Sequence, residues 1–224
     1  MMIRKIPVNF NDEGAYVHAF MQEVLSESDI TGKKVLEVGP KHGLHTSLID
    51  IHKPKSITLV ELLSKKIMLD KWVDNIKSHV NVHYCDLLRF QMDEKFDLII
   101  FSGVLYHNTE QLRLLKKLRS LASPSAKLIC ESATTRNPTF EAQNAIEVLY
   151  PAGYRNMPSV VFLPSKKALI SLVTMACWDV NMTSDESSIP DVKHDQRLAL
   201  VATASDRKHA SYDVTDIDHS YVDD

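Results

Sequence analysis

VLEVGPKHGLHT, residues 35–46, decides how this chain is read. Residues 33–38, KKVLEV, form a short run rich in strand formers and carry Glu37 near its end. Gly39 and Gly43 then flank a tight turn holding Pro40 and Lys41, and from Leu44 to Ile51 the pattern becomes helical before Pro54 stops it. Glycine lets a backbone take unusual angles and pass close to a ligand. The unpaired N–H groups at a helix start can meet an anionic or polar group. By itself a strand, a glycine turn and a helix read equally well as an ordinary tight connection.

Working outward, the same alternation repeats. SITLVEL (56–62) is a second strand, and SKKIMLDKWVDNIK (64–77) has a helical pattern opening on a good cap, Ser64. VNVHYC (80–85) is a third strand. FDLIIFS (96–102), a fourth, is apolar almost throughout, as the buried centre of a parallel sheet requires. EQLRLLKKLRSLA (110–122) is a helix and AKLICES (126–132) a fifth strand. Strands alternating with helices imply βαβ units with right-handed crossovers. Upstream, residues 14–28 place Val17, Phe20, Met21, Val24 and Leu25 at helical spacing. Downstream the spacing predicts a helix over 140–149, a loop over 151–159, a helix over 165–176 begun by Ser165, and closing strands at 178–184 and 197–204. The expectation is an α/β, Rossmann-like fold: a mostly parallel seven-stranded sheet with helices on both faces. Residues 1–32 form a helical lead-in and 33–204 the domain. Residues 205–224 form a polar, Asp-rich, disordered tail that is dispensable for folding.

Bulk properties agree. The chain has 224 residues, 44% hydrophobic and 25% charged, enough for one globular domain with a substantial core. No apolar run suits a membrane span. The N-terminus, MMIRKIPVNFNDEG, turns polar too early for a secretory signal. Cys85, Cys130 and Cys177 are widely spaced and form no framework, so they are read as reduced thiols in the cytoplasm. A net charge of −3 argues against unaided nucleic-acid binding over the whole surface. Arg113, Lys116, Lys117 and Arg119 on one predicted helix form either a local basic patch or, more commonly, a solvated face. His42 and His45 lie three apart with nothing nearby to complete a ligand set, so no metal is expected.

Two acids narrow the reading. Glu61 ends the second strand, where a carboxylate can accept hydrogen bonds from both ribose hydroxyls. Asp86 follows the third strand, where it can accept one from an adenine amino group. Singly, each reads equally as a helix cap or a loop end. Together with the glycine turn they mark one edge of an adenosine site at the carboxyl ends of the strands.

On these residues the sequence resembles the class I S-adenosylmethionine-dependent methyltransferases over roughly 33–204. The resemblance implies that Glu37, Gly39, Pro40, Lys41 and Gly43 line the methionine part of the cofactor. It implies further that Glu61 holds the ribose, that Asp86 and Leu87 meet the adenine, and that Ser102 and Gly103 sit near the sulfonium. The family's usual loop is Gly-x-Gly-x-Gly, and Lys41 stands where the middle glycine is expected. Its side chain either leans out of the pocket or reaches a cofactor carboxylate.

Three further stretches, FSGVLYHNTEQL (101–112), GYRNMPSVVFLPSKKAL (153–169) and RLALVATA (197–204), resemble the tRNA wobble-uridine carboxymethyltransferases. Those enzymes use carboxy-S-adenosylmethionine. This resemblance implies that Tyr106 and Arg197 point together at the cofactor's extra carboxylate, so that Arg197 would lack a partner beside ordinary S-adenosylmethionine. Arg197 reads equally as the partner of an acid such as Asp195. His107 reads as a general base or as a stacking or capping residue. Arg155 and Asn156 read as acceptor-binding residues or as part of a surface turn. Residues 136–164 interrupt the regular pattern and are expected on the acceptor side. About thirty residues precede the first strand, fewer than the wobble-uridine enzymes carry there. The expected activity is therefore ordinary methyl transfer to an oxygen or nitrogen of a small molecule or an unidentified macromolecule. Carboxymethyl transfer to tRNA is the alternative, and a non-catalytic partner subunit the second alternative.

Overall fold

The strands of this chain carry apolar side chains on both faces, and that dictates layers above and below the sheet. A computed structural model describes residues 3, 6–12, 14–150, 154, 160 and 162–207. The elements in chain order are α1 (Ala15–Val24), β1 (Lys34–Val38), α2 (Leu44–Asp50), β2 (Ser56–Glu61), α3 (Lys66–Leu69), β3 (Val80–Tyr84), β4 (Phe96–Ser102) and α4 (Gln111–Leu121). They continue with β5 (Ala122–Ala133), α5 (Pro138–Glu141), β6 (Ile146–Val148), β7 (Phe162–Pro164), α6 (Lys166–Met175), β8 (Trp178–Thr183) and β9 (Arg197–Ala204). Seven strands form one sheet in the order β3-β2-β1-β4-β5-β9-β8. The first five are parallel, and β9 runs antiparallel between β5 and β8. This is the expected mostly parallel, Rossmann-like sheet.

One core layer holds Leu36, Ile99, Phe101, Leu128 and Leu200 against Leu115, Leu118 and Leu169 of α4 and α6. The other holds Val35, Ile57, Leu98, Ile100 and Ile129 against Val17, Phe20 and Met21 of α1 and Leu48 of α2. Helices therefore cover both faces, and the lead-in helix α1 shares a core with the sheet. From β1 the chain steps outward to β2 and β3, then returns to place β4 on the other side of β1. The crevice at such a reversal, beyond the carboxyl ends of the strands, is where open α/β sheets bind ligands.

Two expected helices are corrected. Residues 64–77 form only α3, flanked by 3-10 turns at Leu63–Lys65 and Val73–Asn75. Helices in proteins are stabilised mainly by packing an apolar face, and here Ile67 is 78% exposed. The predicted helix over 140–149 is instead the short α5 followed by strand β6, which pairs with β7. Asn137 caps Thr139 N, Pro138 fits the first turn, and the Glu147 carboxylate is tied back to Thr135 and Asn137. Those ties suit an extended Ile146–Val148 better than a helix. The Ser165 cap of α6 is present, accepting from Ala168 N at 3.0 Å. Most of the expected 151–159 loop and all of the tail after Arg207 lie outside the described residues.

Candidate active site

The glycine turn sits at the end of β1 in an unusual backbone conformation. Gly39, Lys41 and Gly43 all have positive φ, at 71°, 47° and 74°. At Gly39 a Cβ would lie 2.6 Å from Val104 Cγ2, so the turn can lie against the segment after β4 only with glycine there. At Gly43 a Cβ would lie 2.6 Å from the Trp72 ring. The Trp72 indole N–H donates to the Lys41 carbonyl at 2.8 Å. Glu61, buried at the end of β2, accepts from Lys41 N at 3.3 Å and Leu62 N at 2.8 Å. The turn and the second-strand acid thus form one unit.

Glu37 lies beneath this turn, fully buried. Thr46 Oγ1 donates to it at 2.5 Å, and His45 Nδ1 stands 3.8 Å away. Burial, helped by the nearby Glu61 carboxylate and opposed by the Thr46 hydroxyl, pushes the Glu37 pKa up to about 7. Burial and the neighbouring His18 push His45 down to about 4, so its imidazole is neutral near pH 7. Asp86 is exposed and caps its own turn through Leu88 N at 2.7 Å. The Leu87 side chain is buried in the core.

Across the crevice, the ends of β4, β5 and β9 converge on Glu131. One carboxylate oxygen accepts from Arg197 Nε at 2.6 Å. The other accepts from Gly103 N at 2.8 Å and Ser102 Oγ at 3.2 Å. Arg197 Nε also donates to the Tyr16 hydroxyl at 3.0 Å, and Nη2 to the Tyr106 hydroxyl at 3.2 Å. The guanidinium lies over the Tyr106 ring, 5.1 Å from its centroid. Burial works against the Arg197 cation, but Glu131 and the two tyrosines outweigh it and hold its pKa above the ordinary arginine value. Burial and the Glu131 charge hold the Tyr16 hydroxyl well above its ordinary value, so it stays protonated. His107 is exposed beside this cluster, its ring 4.4 Å from that of Tyr106.

Tyr106 and Arg197 therefore meet, as expected, and Ser102 and Gly103 join them. The expected lack of a partner for Arg197 is corrected: its partner is Glu131, not Asp195, which lies 3.8 Å from Arg136. Arg155 and Asn156 lie outside the described residues. Of the expected 136–164 segment, the described Tyr154, Val160 and Leu163 cluster with Tyr106, and the Tyr154 hydroxyl donates to Gln196 at 3.2 Å. Of the four basic residues on this helix, the two arginines take local partners: Arg113 pairs with Glu110, and Arg119 donates to the carbonyls of Cys177 and Ser205.

Sequence reasoning missed Tyr16, Glu131 and Trp72. Glu131 did leave a signal, the one acid in its strand, set in the buried run Leu128–Ala133, where unpaired acids are rare. Leu62, directly after Glu61 and half exposed, is a further apolar candidate on the adenosine edge.

Comparison with known proteins fits this geometry. A family model of nodulation protein S (NodS) matches residues 9–138, more than half of the chain. The tRNA U34 carboxymethyltransferase of Nautilia profundicola is 29% identical over 150 residues, covering 66% of this chain and 48% of that protein. Nodulation protein S of Bradyrhizobium diazoefficiens is 30% identical over 112 residues, covering 49% of this chain and 53% of that protein. The crystal structure of the N-methyltransferase NodS from Bradyrhizobium japonicum WM9, in complex with S-adenosyl-L-homocysteine, superposes with a TM-score of 0.60 at 17% identity, covering 88% of each chain. The fold is that of the class I methyltransferases. The chain spans about half the length of the curated relatives it matches.

Proposed function

We propose that this chain, which belongs to the nodulation protein S (NodS) family, is an S-adenosylmethionine-dependent methyltransferase acting at an oxygen or nitrogen of a small molecule or a macromolecule. One observation carries the proposal: two buried acids, Glu37 and Glu61, end neighbouring strands around a left-handed turn. The donor set fits the cofactor. Glu37 is a buried carboxylate whose imidazole neighbour is neutral, so an α-ammonium group there would hold it ionised. Glu61 offers carboxylate oxygens to ribose hydroxyls, and Asp86 with the Leu87 backbone faces the adenine edge.

When bound, S-adenosylmethionine supplies a methyl group already activated by its sulfonium. The chain's own work is alignment and exclusion of water. Glu131 fixes the Ser102–Gly103 backbone beside the transfer point. Tyr106 offers a hydroxyl there, and His107, exposed next to it, accepts the proton that an oxygen or nitrogen nucleophile must lose. The 136–164 segment, with Arg155 and Asn156, forms part of the acceptor side. The N-methyltransferase activity in the name of the Bradyrhizobium japonicum protein supports a nitrogen acceptor. The setting proposed is the cytoplasm, which the free cysteines support.

Carboxymethyl transfer to tRNA is the second reading. The Tyr106–Arg197 contact favours it, since Nη1 of Arg197 has no partner among the described residues. Glu131 weighs against it, because it already neutralises the guanidinium, and so does a net charge of −3 for a tRNA partner.

Calorimetric titration tests both readings. S-adenosylhomocysteine should bind the parent, and Glu61→Ala should lose about 1.5–3 kcal/mol, typical of hydrogen bonds to a charged group. Unchanged affinity in Glu61→Ala would remove the ribose assignment. A parent that prefers the carboxylated cofactor, with the preference lost in Tyr106→Phe, would promote the second reading. Tyr106→Phe suits that comparison better than Arg197→Leu, which would strand the buried Glu131.

A further inference from the structure

Lys41 stands where the resembling family has a glycine, yet it adopts the backbone conformation a glycine would supply, with φ at 47°. Left-handed backbone is disfavoured for any residue with a Cβ and persists only where neighbours impose it. Among the described residues, three contacts favour it here. Gly43 N donates to the Pro40 carbonyl at 2.8 Å and closes the turn. Lys41 N points at Glu61 Oε2. The Lys41 carbonyl, turned to the outside, receives the Trp72 indole N–H at 2.8 Å. Of the three, only the indole bond reaches the carbonyl from outside the turn and its acid.

We propose that Trp72 is the positioning residue that allows a lysine in this turn: its indole N–H pins the Lys41 carbonyl and so holds the turn and Glu61 in their binding geometry. The inference rests on the cofactor reading above. The indole ring lies flat against Gly43, which is why no Cβ fits there. The α3 helix ends at Leu69, and Trp72 stands in the irregular stretch between it and the 3-10 turn at Val73–Asn75. If the carbonyl were released, Lys41 would relax toward negative φ, its N–H would leave Glu61 Oε2, and the carboxylate that should face the ribose would lose its orientation. A glycine at position 41 needs no such pin, because it holds positive φ without a steric cost.

The test is a double-mutant cycle read by titration with S-adenosylhomocysteine. Phenylalanine at 72 keeps an aromatic ring beside Gly43 and removes the indole N–H; the loss from its smaller ring is common to both backgrounds and cancels in the cycle. Trp72→Phe should weaken binding about tenfold in the parent background and less than twofold in the Lys41→Gly background. Equal losses in both backgrounds would overturn the proposal, since a purely structural tryptophan would act alike in each. A second readout needs no ligand. Trypsin cuts after Lys41 when the turn opens, and Trp72→Phe should speed cleavage at that bond about fivefold relative to the chain's other sites. An unchanged rate there would also overturn the lock. A parent that binds no S-adenosylhomocysteine would count against the methyltransferase reading alone, and the proteolysis would still decide the role of Trp72.

Discussion

Around β1 and β2 the site is assembled from near neighbours, whereas around β4, β5 and β9 it is assembled from the whole length of the chain. Thr46 and Glu37 are 9 residues apart, and Lys41 and Glu61 are 20 apart. Arg197 meets Glu131, Tyr106 and Tyr16 across 66, 91 and 181 residues. The two sides also differ in charge. The cofactor side holds two buried acids and a neutral imidazole, with a turn in left-handed backbone. The transfer side holds a guanidinium and a carboxylate that satisfy each other. One side is strained and anionic, and the other is neutral and braced. Binding sites commonly carry such strain at some cost to the free fold. The contrast predicts that removing a buried charge moves stability in opposite directions on the two sides.

The largest effect should come from the transfer side. Arg197→Leu leaves Glu131, 2% exposed, without its cation. Loss of one partner of a buried pair typically costs about 3–5 kcal/mol, which urea unfolding will read. Arg197→Leu combined with Glu131→Leu should recover much of that loss. If the single variant costs less than about 1 kcal/mol, the transfer side is not braced and the contrast fails.

The cofactor side should answer with a gain. The Glu37 pKa of about 7 in the folded chain lies above its ordinary 4.5. Its favourable contribution is therefore complete below about pH 4.5 and is lost as pH rises through about 7. A displacement of that size corresponds to about 3 kcal/mol. Glu37→Gln should thus stabilise the ligand-free protein by up to about 3 kcal/mol at pH 8 and by little at pH 5, while weakening S-adenosylhomocysteine. His45 titrates in both proteins, so the difference between their stability–pH curves isolates Glu37. A variant less stable than the parent at pH 8 would show that the acid is not held at a cost.

A smaller effect separates packing from backbone strain in the turn. Gly43→Ala adds a Cβ against the Trp72 ring at positive φ, while Gly32→Ala adds one at φ 69° with nothing within 4 Å. Both pay the left-handed penalty of about 1–2 kcal/mol. Gly43→Ala should lose about 1–3 kcal/mol more, the range for overpacking, and equal losses would mean that the indole yields. The smallest expected effect is that of Tyr154→Phe, which removes one neutral hydrogen bond to Gln196 and should cost no more than about 1 kcal/mol. A larger loss would mean that this tyrosine holds more of the fold than its one bond to Gln196.

What could be read from residues follows the same divide. Alternating strands and helices, the glycine turn and the acids ending β2 and following β3 were legible because each is a local pattern. The Ser165 cap was legible for the same reason. The 64–77 and 140–149 helices misread because periodicity does not say whether an apolar face finds a partner. Ile67 finds none, and Glu147 is drawn back toward Thr135. Arg197 and Tyr106 were legible through their motifs, and the Glu131 that occupies Arg197 was not.

The sequence by itself thus determined the sheet, its crevice and the acids at the ends of its strands. These depend on hydrophobic period and on the residue at each strand end, which act over a few positions. Only the tertiary structure decided that Arg197 is neutralised by Glu131 and donates to Tyr16, and that the Lys41 carbonyl, in a glycine's backbone conformation, receives the Trp72 indole N–H. Those outcomes depend on which buried donor finds which acceptor once distant segments have packed. A buried polar group must take a partner wherever the fold supplies one, and spacing along the chain does not encode where that is.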